Sequence, residues 1–121
     1  MNDEAATKYI KNRLERMVEN GKEADQEFAT RSIEGGVSDA LAWFYVHLKT
    51  SEQGQVAQVA LMLLERGKTM REVGQSMAEE VASGIRYMVL ENNQMHVAGH
   101  MASMQAKNLI VGEINGFDWS E

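Results

Sequence analysis

Proline and cysteine are both absent from this 121-residue chain. Without proline, no residue forces a helix to stop by lacking an N–H, so the punctuation falls to ten glycines. Without cysteine, disulfides and thiolate metal sites are excluded, which suits a reducing cytoplasm. Long apolar runs are missing as well. The longest, Leu41–Val46 among them, fall far short of the ~20 residues of a membrane span. Met1–Ala6 carries neither the basic region nor the apolar core of a secretion signal, so the expected location is cytoplasmic. Positive charge is scarce: 12 Lys and Arg stand against 18 Asp and Glu, for a net charge of −6. That balance argues against direct binding to nucleic-acid phosphates and suits either solubility or a basic partner.

What is present favours helices. Apolar residues make up 44% of the chain, enough to bury one core, and no linker divides it, so residues 1–121 read as one helical domain. The spacing predicts a first helix from Asp3 to Asn20, capped at Asn2 or Asp3, with Ala6, Ile10, Leu14, Met17 and Val18 on one face and Gly21 ending it. A weaker segment covers Glu23–Ile33, with Phe28 and Ile33 its only large apolar residues. Gly35-Gly36 is a break, and Ser38 caps a third helix. Its run Leu41-Ala-Trp-Phe-Tyr-Val46 is apolar all round and therefore expected to be central. Thr50–Gly54 reads as a turn. Gln55–Arg66 reads as a fourth helix, with Val56, Val59, Ala60 and Leu63 inward and Gly67 as its C-cap.

Thr69-Met-Arg-Glu72 is a capping box. It opens the longest predicted helix, running to about Asn92, with a seam at Met70, Val73, Met77, Val81, Ile85 and Met88. Beside the seam lie Gly74, Ala78 and Ala82, four apart, a spacing that lets another helix approach closely. These three residues form the expected homodimer contact. Asn92-Asn93 breaks the helix. A sixth covers Met95–Lys107, with Val97, Met101 and Met104 inward. Leu109–Ile114 is strand-like in composition, Asn115-Gly116 is a turn signal, and residues 109–121 form an acidic-aromatic tail. The expected fold class is all-α: a compact bundle of five to six helices, one of them long, with a short extended C-terminal tail.

No pattern of catalysis survives inspection. His96 and His100 sit one turn apart and could share a metal, but the only other histidine is His47 and no glutamate lies between the pair. No metal site and no cofactor are expected. Gly67-Lys68-Thr69 ends like a phosphate-binding loop but lacks its earlier glycine. There is no nucleophile elbow. Two features point to protein contact instead. Glu15, Glu19 and Glu23 are four apart and would form an acidic stripe if helical geometry persisted past Gly21. Phe117, Asp118 and Trp119 join aromatics to acid near the C-terminus, the chemistry of a short docking peptide or of an anchor folded back on the core.

Two fragments carry a family resemblance: Tyr9-Ile-Lys-Asn-Arg-Leu-Glu15, and Ile85-Arg-Tyr-Met-Val89 with Met77-Ala-Glu79 shortly before it. In this order they resemble pieces of the phage lambda Gam family of host-nuclease inhibitors. The intervening sequence aligns only with gaps, and nothing after Asn93 has a counterpart. The resemblance implies a small, helical, dimeric protein that blocks a host DNA-processing nuclease by occupying its DNA site. It carries over no catalytic residue, because that family has none.

The sequence therefore leads to a non-enzymatic inhibitor or adaptor of the kind phages and mobile elements encode. It would engage a basic, DNA-handling host protein through Glu15, Glu19, Glu23, Phe117, Asp118 and Trp119. It would bind neither nucleic acid nor membrane directly. The alternative is a small helical domain, ligand- or metal-binding or enzymatic, built on the His96/His100 face.

Overall fold

The computed structural model describes residues 3–90 and 94–119, and within them the side chains of all but Tyr45 and residues 84–98. Among the described residues there are four α-helices and no strand: α1 (Asp3–Gly35), α2 (Val37–Glu65), α3 (Met70–Leu90) and α4 (Gln94–Asn115). The all-α expectation stands. The count of five to six helices does not, because two of the predicted breaks lie inside continuous helices.

The first is Gly21. It does not end a helix: α1 runs through it for 33 residues and absorbs Glu23–Ile33. The second is Thr50–Gly54, which is not a turn but the middle of α2. One contact explains both. A Cβ added at Gly21 would lie 2.9 Å from the Gly54 Cα, and one added at Gly54 would lie 2.9 Å from the Gly21 Cα. These glycines are where α1 and α2 cross closely. Their missing side chains serve packing rather than punctuation, and tertiary contact offsets the ~1 kcal/mol that each costs in helix propensity.

The connections follow local chemistry. α1 and α2 are joined by a single residue, Gly36, whose φ of 90° favours glycine. Gly36 also stands at the N-cap of α2, where Ser38 was expected, and the Ala40 N–H donates to its carbonyl. α2 ends as predicted at Gly67 (φ 92°). The Lys68 N–H bonds to the Leu63 carbonyl at 3.1 Å and the Gly67 N–H to the Leu64 carbonyl at 3.1 Å, a Schellman closure. The capping box then opens α3. The Glu72 N–H donates to Thr69 Oγ1 at 3.2 Å, and the Thr69 N–H donates to Glu72 Oε1 at 3.1 Å. These two bonds, first that from the backbone and then that with the hydroxyl, hold the Glu72 carboxyl below its usual range.

The helices of the pairs α1–α2 and α3–α4 run antiparallel. Gly21–Gly54, the Asp25–Ser51 hydrogen bond and the Phe28–Phe44 ring pair align α1 with α2. Gly74–Ile114 and Glu80–Lys107 align α3 with α4. Tyr9–Phe117 and Arg13–Glu113 lay α4 against α1. The core gathers where all four helices meet: Ile10 and Leu14 of α1, Val56, Ala57 and Ala60 of α2, Met70, Val73 and Met77 of α3, and Ala106, Ile110 and Ile114 of α4. Its members recur three or four apart, as an amphipathic helix requires. Leu109–Ile114, strand-like in composition, is the last part of α4 and supplies two of these residues. Burying one face against three other helices outweighs the β preference of its Ile and Val.

Leu41–Val46 is not central. Leu41 is 53% exposed and Val46 77% exposed, while Trp43 and Phe44 are half-buried against α1. This part of the α1–α2 hairpin lies away from the four-helix core. Val59 and Met101, expected inward, are also exposed. The longest helix is α1, not α3, which is described for 21 residues. Of the predicted α3 seam, Met70, Val73, Met77 and Val81 are buried. The side chains of Ile85, Met88, Met95, Val97 and the Asn92-Asn93 break lie outside the described residues. No described helix is long and apolar enough to cross a membrane.

Candidate functional site

Continuity of α1 has a direct consequence for the acidic residues. Because the helix passes through Gly21 unbroken, Glu15, Glu19 and Glu23 occupy one face, all exposed, and Glu27 extends the row by a further turn. The row is partly compensated. Lys22 approaches Glu19 at 3.9 Å, and Arg31 binds Glu27 at 2.9 Å. Arg13 is drawn the other way, onto Glu113 of α4 at 2.8 Å.

The aromatic tail is docked. After Asn115 the chain turns at Gly116, and the Trp119 indole N–H donates to the Ile114 carbonyl at 2.7 Å. Phe117 meets Tyr9 and Trp119 edge-on, at ring-centroid distances of 5.7 and 6.1 Å. Both Phe117 and Trp119 pack on the core, and only Asp118 is exposed. Trp119 is a second donor to this carbonyl at the helix end, which also accepts from the Phe117 N–H at 3.3 Å.

The structure brings two predicted sets together. Gly74 and Ala78 line the same groove as Phe117, Asp118 and Trp119, a space of about 500 Å³ between α3 and the end of α4. Its wall is set by a close contact: a Cβ at Gly74 would meet Ile114 Cγ2 at 3.2 Å. The near approach that Gly74 permits is thus taken up by α4 of the same chain, while Ala78 and Ala82 remain exposed. Glu15, Glu19 and Glu23 do not border this groove.

A polar junction escaped the sequence reading. Ser51 is buried and donates to Asp25 Oδ1 at 2.8 Å across the α1–α2 contact. Next to it, burial pushes the Glu52 carboxyl up, with Lys107 opposing the shift and Asp25 adding to it. Lys107 also reaches Glu80 of α3 at 3.2 Å. Four helices therefore contribute to one run of charge. Its only sequence signal was the placement of Asp25 one turn after Gly21 and of Ser51 just before Gly54, and that signal is legible only once the two glycines are known to touch.

The His47 ring meets Trp43 at a 60° tilt, 4.1 Å between ring centroids, and Arg31 lies 4.9 Å over the same Trp43 ring. His100 is half-buried on α4. The side chain of His96 lies outside the described residues. Among the described residues no three His, Asp or Glu side chains are grouped so as to hold a metal ion. No protein-family model, no characterised protein and no solved structure matches the chain significantly.

Proposed function

We propose that this protein is a non-enzymatic inhibitor or adaptor of phage or mobile-element type, acting by protein–protein contact on a basic, DNA-handling host protein. The observation that carries the reading is the uninterrupted α1, which sets Glu15, Glu19 and Glu23 in one exposed row. Carboxylates at helical spacing can stand in for backbone phosphates in a cleft built for DNA, and the net charge of −6 steers the protein toward such a site. The resemblance of Tyr9–Glu15 and Ile85–Val89 to the Gam family supports the same reading. Asp118, exposed beside the docked Trp119, adds a second acidic contact point at the other end of the chain.

The test is degradation of linear duplex DNA in a bacterial lysate, with and without the purified protein. The expected result is protection of the DNA that is lost in Glu15→Lys/Glu19→Lys/Glu23→Lys and weakens as salt rises, because exposed charges are screened beyond ~8–10 Å at physiological ionic strength. DNA degraded at an unchanged rate would reject the inhibitor reading. Protection indifferent to both salt and charge reversal would reject the acidic row. Direct binding to duplex DNA is expected to be absent at moderate salt.

A further inference from the structure

We infer that the outer face of α2 is a self-association surface, on which two copies of this chain pair antiparallel about a twofold axis near Thr50. At ~100° per residue, Val37, Leu41, Leu48, Gln55, Val59 and Met62 fall within roughly 60° of one another on the α2 surface. Four of them are substantially exposed: Val37 59%, Leu41 53%, Val59 52% and Met62 44%. None of the six is charged, in a chain with 25% charged residues. The strip spans roughly 38 Å at ~1.5 Å per residue.

Two arguments choose a second copy over another partner. A twofold contact must read the same from both ends, and this strip does. An axis near Thr50 sets Val37 opposite Met62 of the other copy and Leu41 opposite its Val59. Leu48 then falls beside the axis, and Gln55 opposite Phe44, which is half-buried. Charge supplies the second argument. A basic partner of the kind this acidic molecule attracts would find no carboxylate on the strip to pair with, whereas a second copy meets no like charge there. Two such strips, about 10 Å wide, bury roughly 800 Å² in total before flanking side chains are counted. This is below the area of a stable, specific interface, so the dimer is weak and reversible. The inference is independent of the nuclease reading, since it concerns a different helix and an uncharged face.

Sedimentation equilibrium on the intact chain tests it. The expected mass at high micromolar concentration is twice the 13.6 kDa of the chain. Added salt should strengthen the association, because it screens repulsion between two acidic molecules, which is opposite in sign to the effect on an acidic-row contact. Leu41→Lys alone and Val59→Glu alone should each weaken it roughly tenfold or more. The double variant Leu41→Lys/Val59→Glu should restore it, since the antiparallel axis sets each lysine against a glutamate of the other copy. Circular dichroism checks that each variant keeps its helix content, and Met62→Lys replaces any that does not. A monomeric intact chain overturns the inference. So does a dimer indifferent to the single changes, for example one broken instead by Ala78→Glu on α3. Loss in the single variants without rescue in the double overturns the antiparallel axis.

Discussion

At the scale of single residues, the bonds of the Thr69–Glu72 box are local and depend on two side chains. Thr69→Ala should lower stability by about 1 kcal/mol, a fall of roughly 4 °C in melting temperature measured by circular dichroism. Glu72 titrates below its usual range in the folded protein, so its contribution is present above the unfolded carboxylate pKa and is lost as pH falls through the folded one. Glu52 behaves in the opposite sense. Burial raises its folded pKa, so its ionised form opposes folding above that pKa, and the penalty vanishes as pH drops below the unfolded value of about 4.3. Glu52→Gln should therefore raise the melting temperature at pH 7, with a gain that shrinks toward pH 4. An equal gain at both pH values would assign the effect to packing instead.

At the scale of elements, the glycines divide by what their missing Cβ would touch. Gly21→Ala drives a methyl into the Gly54 backbone, which cannot swing aside as a side chain could. It should destabilise by about 1–3 kcal/mol despite the gain in helix propensity. Gly112 lies within α4, exposed, with nothing within 4 Å of an added Cβ. Gly112→Ala should stabilise by roughly 0.5–1 kcal/mol. Chemical denaturation of the two variants beside the parent chain measures both signs at once. If both raise stability, α1 and α2 do not cross at Gly21.

At the scale of the whole molecule, the tail is part of the core's cover rather than a free peptide. Phe117 and Trp119 close one end of the bundle over Tyr9 and Ile114. Truncation after Asn115 should cost about 2 kcal/mol, roughly half of what a fully buried aromatic loses on removal. Unchanged stability would return the tail to the role of a free docking segment. The molecule is also uneven. Its apolar core is gathered where four helices meet, and the remainder of the α1–α2 hairpin relies on contacts such as Phe28–Phe44 and Arg31–Trp43. Backbone hydrogen exchange should accordingly be faster across Ala29–Val46 than across Val56–Leu64, because opening costs less where less apolar surface is buried.

What the sequence by itself determined is whatever rests on neighbours within one turn. Periodicity gave the helical class and most of the inward faces: Ala6, Ile10 and Leu14, then Met70, Val73 and Met77. The Gly67 closure and the Thr69–Glu72 box were readable to the residue, because each is made by backbone and side chains within five positions. Tertiary structure decided the rest. Gly21 and Gly54 carry the same local signal as Gly67. Only the other helix, lying against them, turns two breaks into the middle of two long helices. Leu41–Val46 looked central because apolar composition states that a residue prefers burial, and it cannot state whether a neighbouring helix extends far enough to bury it. Leu109–Ile114 looked like a strand because Ile and Val favour strands, and the three helices packed around it overrode that preference. The candidate surfaces divide in the same way. The spacing of Glu15, Glu19 and Glu23 was in the sequence, but their shared face depended on the Gly21–Gly54 contact that keeps α1 whole.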